Sequence, residues 1–100
     1  MTVSELIQVT GATNMVSGTD ENREVTCGYT CDLLSWVMAH GKSGMAWITV
    51  QTHMNVIAVA CLMEMAAVIV PEGIQMEPAS LQKAADEGLA VLQRDLRRHL

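Results

Sequence analysis

The sequence predicts an α/β domain, a small parallel or mixed sheet flanked by helices, and three observations carry that prediction. Short β-prone runs alternate with helical runs along most of the chain, the pattern of a sheet wrapped by crossover helices. Residues 66–70 form an unbroken apolar run of the kind buried on both faces of a parallel sheet. Residues 53–63 are apolar almost all round a helix, through Met54, Val56, Ile57, Val59, Leu62 and Met63, so that helix is expected to be covered on two sides.

Taken in order, residues 2–9 put Val3, Leu6 and Ile7 on one helical face, and Thr2 with Glu5 makes a capping box. Gly11 permits a turn, residues 14–17 read as a short strand, and residues 18–22 are a polar loop of turn formers. Residues 24–27 read as a strand ended by Gly28. Residues 32–40 form a helix with Leu33, Leu34, Val37 and Met38 on one stripe, closed by a left-handed Gly41. After a turn at 41–44, residues 45–50 are a β-rich run, and Thr52 is placed to cap the helix over 53–63. Pro71, Glu72 and Gly73 end the apolar strand. Pro78 opens a helix carrying Leu81, Ala84 and Ala85 and closing at Gly88, and a last strand over 89–92 leads to a basic tail.

One hundred residues supply a single domain, 1–100, with one core that buries about two-thirds of the unfolded surface. Half of the residues are apolar and 17% charged, too hydrophobic for a disordered chain and too poor in charge for a coiled coil. Eight Met, two Trp, one Tyr and no Phe make that core aliphatic and adaptable. The net charge of −5 argues against nucleic acid as a partner, because phosphate-backbone binding rests on clustered cations. The one basic cluster, Arg94, Arg97, Arg98 and His99, also suits the last turn of a helix. The apolar stretch 56–70 is interrupted by Glu64 and too short for a bilayer, so no membrane partner is expected. Three cysteines that cannot all pair, with no charged-then-apolar leader, place the protein in the cytoplasm; its ordered start and basic end read as a complete chain.

No catalytic apparatus is legible. Gly41-Lys42-Ser43 ends like a phosphate-cradling loop, but Trp36 stands where the motif needs glycine, and the segment follows a helix and precedes a strand. Cys27 and Cys31 stand four apart rather than at the spacing of a metal knuckle, and with His53 they make no more than a loose metal set. We read them as small buried hydrophobes and expect no metal. No His falls in a motif with Ser, Cys or a carboxylate, so no catalytic residue is assigned.

Ligands of open α/β sheets gather at the carboxyl ends of the strands. The polar residues expected there are Thr26, Gly28, Tyr29, Thr30 and Asp32 after one strand, Gln51, Thr52, His53 and Asn55 after the next, and Glu72 and Gly73 after the third. Capping accounts for any one of Thr30, Asp32, Thr52 and Asn55, but a helix start needs one such residue and the run 51–55 supplies four polar ones. The ligand-binding residues expected are therefore Thr26, Gly28, Tyr29, Asp32, Gln51, Thr52, His53 and Asn55.

The same two loops carry a family resemblance. Arg23-Glu24-Val25-Thr26-Cys27-Gly28-Tyr29, followed by Cys31-Asp32-Leu33-Leu34, resembles the signature region of DRTGG domains, with Cys27 where the family usually has the first of two glycines. Gln51-Thr52-His53-Met54-Asn55, with Ala58 and Ala60, resembles that family's second block, and the similarity runs over about residues 3–92. It implies a fold like the N-terminal domain of HPr kinase/phosphorylase, without the kinase's own phosphate loop. Since DRTGG domains accompany CBS pairs, phosphotransacetylase and cobyrinate-synthase-like modules, it also implies regulation or binding. Copies that stand alone beside iron-hydrogenase and electron-transfer genes imply a redox-enzyme partner.

Three functions follow as expectations. The first is a non-catalytic regulatory module that senses a nucleotide or another small anionic, phosphorylated metabolite; no cofactor is identifiable. The second is a docking subunit, a homodimer or larger oligomer, for a redox enzyme such as an iron hydrogenase. The third, a serine kinase acting on HPr, lacks its catalytic half.

Overall fold

A computed structural model describes residues 1–71 and 73–94; the expected rim residue Glu72 and the basic residues Arg97, Arg98 and His99 lie outside the described residues. Four helices and five strands follow one another as α1 (Val3–Thr10), β1 (Thr13–Asn14), β2 (Cys27–Thr30), α2 (Leu34–His40), β3 (Met45–Ile48), α3 (Met54–Leu62), β4 (Ala67–Val70), α4 (Pro78–Glu87) and β5 (Ala90–Gln93). The sheet order is β1-β5-β4-β3-β2, with β2 to β5 parallel and β1 antiparallel to β5. The α/β class with a mixed sheet is the one the sequence predicts.

Each crossover steps one strand in the same direction, and right-handed crossovers then deposit α2, α3 and α4 on one face. Side-chain alternation along the strands supplies both faces with apolar surface. Met45, Trp47, Val68, Val70 and Val91 join Val37, Val56, Ile57, Ala60 and Ala84 in the larger core under the three helices. Ala67, Ala90 and Leu92 point the other way and meet Val3, Leu6 and Ile7 of α1. The register aligns Gly28, Ala46, Ala67 and Ala90 in one row across four strands, so the α1 face is shallow and the three-helix face is filled by bulk. Because α1 covers only part of the shallow face, a trough of about 420 Å³ remains beside it over Gly28, Ala46 and Ile48.

Several boundaries depart from expectation for identifiable reasons. The expected strand at 14–17 is cut to Thr13–Asn14 because the Asn14 Oδ1 accepts the Val16 amide at 3.0 Å and turns the chain. Residues 24–26 are not strand: the Val25 amide is spent on the Met1 carbonyl and the Thr26 amide on the Gly44 carbonyl, so parallel pairing begins at Cys27. Gly28 therefore lies inside β2 and does not end it. Gly41 is extended (φ −65°, ψ 152°) rather than left-handed. Its need for glycine comes from crowding, since a Cβ there would sit 2.7 Å from the Val37 carbonyl oxygen and 2.9 Å from Met65 Cε. Helix α3 lies between α2 and α4 but is not covered on its outer side: Met54 (45% exposed), Ala58 and Leu62 (68% exposed), spaced four apart, form an open apolar stripe.

Elsewhere the predicted local chemistry is present. Thr2 and Glu5 form the reciprocal capping box of α1, with Glu5 N to Thr2 Oγ1 at 3.2 Å and Thr2 N to Glu5 Oε1 at 3.0 Å. The apolar run 66–70 contains β4, hydrogen-bonded on both edges. Gly44 adopts φ +79°, its carbonyl accepts the Thr26 amide, and a Cβ there would meet Thr26 Cγ2 at 2.9 Å. Gly44→Ala is expected to cost about 1–3 kcal/mol, the sum of a left-handed backbone penalty and this contact, read as a lower urea midpoint with an unchanged slope.

Candidate functional site

The carboxyl ends of the parallel strands form one edge of the molecule, and Asp32 is the residue that organises it. Trp47, fully buried in β3, donates its indole N–H to the Cys31 carbonyl at 2.7 Å and so fixes the end of β2. The next residue, Asp32, turns its carboxylate toward the β3 loop. Its Oδ1 accepts the Thr49 hydroxyl at 2.8 Å and the Val50 amide at 3.0 Å, while its carbonyl accepts the Gln51 side-chain amide. Asp32 and Leu33 therefore stay out of α2, which begins at Leu34, although the sequence suggested a helix from 32.

From Gln51 the chain passes to α3. Contrary to the expectation from sequence, Thr52 does not cap it: the N-cap is His53, with no side-chain cap hydrogen bond. The amides of Met54 and Asn55 in the first turn have no side-chain acceptor among the described residues. The loop is nonetheless fixed. Ser80, buried in α4, donates its hydroxyl to the Thr52 carbonyl at 2.9 Å, and His53 Nδ1 lies 3.8 Å from Glu77 Oε2. The hydroxyl of Thr52, the imidazole of His53 and the amide of Asn55 are left exposed or half-exposed at this corner.

Thus Asp32, Gln51, Thr52, His53 and Asn55 lie along one corner of the carboxyl edge, and the other three do not join them. Thr26 sits at the opposite, amino edge of the sheet, where its Oγ1 donates to the Ser43 carbonyl at 3.2 Å. Gly28 and Tyr29 lie in the middle of β2. The Tyr29 phenol packs half-buried against the main core, and that desolvation, with Cys31 beside it, raises its pKa above the ordinary tyrosine value. The sequence puts Thr26, Gly28 and Tyr29 on the rim because it reads the strand as 24–27, three residues ahead of the observed β2. The supporting residues Trp47, Thr49, Ser80 and Glu77 were missed. Only Glu77 left a trace, as the residue before a Pro that opens a helix.

Gly41-Lys42-Ser43 lies at the amino edge between α2 and β3, as a helix-to-strand turn. Cys27 begins β2 and Cys31 follows its end, so about 13 Å of strand separates them. Among the described residues no three His, Cys, Asp or Glu side chains gather as a metal cluster. Cys61, at the end of α3, has a thiol pKa raised by burial and then by Glu87. No described helix is long and apolar enough to cross a membrane.

No protein-family model matches the chain, and no curated protein matches it. Among solved structures it resembles the CBS and DRTGG domains of the regulatory region of Clostridium perfringens pyrophosphatase, in complex with the activator diadenosine tetraphosphate. The TM-score is 0.72 at 10% sequence identity. The match covers 92% of this chain and 40% of the neighbour, so the chain spans less than half of the length of that solved chain and shares its α/β fold.

The Asp32 bridge yields a direct test. Asp32→Ala leaves the buried Thr49 hydroxyl without its acceptor and is expected to cost about 1–3 kcal/mol, whereas Asp32→Asn keeps an oxygen there and should cost less than about 1 kcal/mol. Thermal unfolding would separate the two by several degrees.

Proposed function

We propose that this protein is a non-catalytic regulatory module that binds a nucleotide or a small phosphorylated metabolite at the corner made by Asp32, Gln51, Thr52, His53 and Asn55. The observation that carries the reading is the unspent donor set at the start of α3. Two backbone amides, a hydroxyl, an imidazole and a carboxamide lie at a helix N-terminus whose preceding loop is held by hydrogen bonds with Asp32 and Ser80. Helix N-termini favour anions through both their free N–H groups and the helix dipole. The acidic neighbours do not oppose this strongly: the Asp32 carboxylate is engaged by two donors and Glu77 faces His53.

Two further points support it. A solved structure with this fold is a regulatory region crystallised with the activator diadenosine tetraphosphate. The sequence also resembles DRTGG domains, modules that accompany enzymes. On this reading the protein works in the cytoplasm, biasing a partner enzyme rather than carrying out a reaction, and neither a phosphoryl transfer to HPr nor a kinase relationship is needed.

A second reading, a docking subunit that forms a homodimer or binds a redox enzyme such as an iron hydrogenase, is favoured by separate surfaces. The outer stripe of α3 and the neighbouring Trp36 (52% exposed) are apolar and open, as is the trough beside α1.

A thermal-shift panel of adenine nucleotides, dinucleoside polyphosphates and acyl phosphates, with light scattering on each sample, separates the readings. A ligand at a hundred times its Kd stabilises the native state by about 2.7 kcal/mol, a rise of roughly ten degrees or more for a chain of this size. We expect such a shift with a nucleotide, and expect Thr52→Ala and His53→Ala each to weaken binding about tenfold. A shift that neither substitution changes would remove the site assignment. No shift from any compound, with a stable dimer in scattering, would favour the docking subunit.

A further inference from the structure

A second cluster of donors lies farther along the same carboxyl edge, where β4 and β5 end beside β1. There a cleft of about 300 Å³ is lined by Thr13, Gly73, Ile74, Gln75, Gln93 and Arg94, with Met15 on one wall. Arg94 is held by its backbone on both sides: its amide donates to the Val70 carbonyl at 3.2 Å, and its carbonyl accepts the Gly73 amide at 2.9 Å. Its side chain therefore starts from a fixed point. Among the described residues, Arg94 Nε is the one buried side-chain nitrogen or oxygen without a hydrogen-bond partner.

A buried guanidinium N–H with no acceptor is unfavourable, and native structures satisfy such groups with water or an ion. The neighbouring side chain is set to help. Gln93 Oε1 accepts the Met76 amide at 3.0 Å, which fixes the orientation of its carboxamide and leaves the Nε2 hydrogens to donate. Thr13, paired directly with Gln93 across the β1–β5 ladder, adds a hydroxyl. No described acidic side chain lines this cleft.

We propose that this cleft is an oxyanion site that takes a phosphate group, with the Arg94 fork and the Gln93 amide as its donors. Arginine matches phosphate through paired N–H groups, and a carboxamide held by its own oxygen supplies a donor at a defined place. Carboxylates share this chemistry, so the two sources are to be told apart by experiment. The site is separate from the corner at His53 and does not rest on the reading given to that corner.

The test is a titration of the isotope-labelled full chain with inorganic phosphate, pyrophosphate and, in a separate arm, succinate, following backbone amides and the Arg94 Nε–H resonance by NMR. Saturable movement of Arg94 Nε–H and of the Gly73 to Gln75 amides is expected with phosphate or pyrophosphate. Arg94→Gln should weaken binding at least tenfold. Gln93→Glu keeps the oxygen that Met76 needs while replacing the donor with a second oxygen, so it should abolish binding in a chain that still folds. His53→Ala should leave the titration unchanged. No saturable movement, equal movement in Arg94→Gln, or saturation by succinate alone would overturn the proposal. A loss of phosphate binding in His53→Ala would show one shared site and overturn it equally.

Discussion

Trp47 is the constraint on which the rest of the molecule leans. It is the largest of the fully buried side chains, it sits on β3, an interior strand between β4 and β2, and its one polar side-chain atom is satisfied by the Cys31 carbonyl at the end of β2. Burying an indole ring stabilises the core by several kcal/mol, but its N–H demands an acceptor, and that demand fixes where β2 stops. The end of β2 in turn fixes Asp32, and Asp32 fixes the β3 loop through Thr49, Val50 and Gln51. A packing residue thereby sets the geometry of a polar corner.

The two faces of the sheet divide the labour. Bulky residues face the three crossover helices and make a deep core, while on the other face Ala67 and Ala90 meet a single short helix and Gly28 and Ala46 line the open trough beside it. The carboxyl edge is polar at both ends, with the His53 corner over β3 and the Arg94 cleft over β5. The amino edge is occupied by turns latched to one another, Thr26 to Ser43 and Arg23 to the Glu64 carbonyl. Such an arrangement suits a module that reads a ligand at one edge and keeps apolar surface elsewhere for neighbours.

The sequence made the class and the order of elements legible because periodicity reports burial directly. The run 66–70 could only be an interior strand, and Thr2 with Glu5 could only be a helix start. It failed at β2, where Thr26, Cys27, Gly28 and Tyr29 carry no alternation strong enough to set a boundary. The boundary comes instead from pairing with β3 and from the claim of Met1 and Gly44 on the amides of residues 25 and 26. That single slip put Thr26 on the wrong edge. The run 51–55 does lead from a strand end into a helix start, but its N-cap is His53 rather than Thr52, because Thr52 belongs to the loop whose carbonyl Ser80 holds. Ser80, Glu77 and Arg94 escaped because their roles depend on which strand ends lie side by side, and no local pattern records that.

The central claim, that the carboxyl edge is where this protein meets its ligand, is tested most directly by amide hydrogen exchange measured with and without diadenosine tetraphosphate. The account predicts added protection over residues 31–33, 50–57 and 73–75, with the amino edge unchanged. Protection confined to α1 and the shallow face, or to the turns at 23–26 and 41–44, would contradict it.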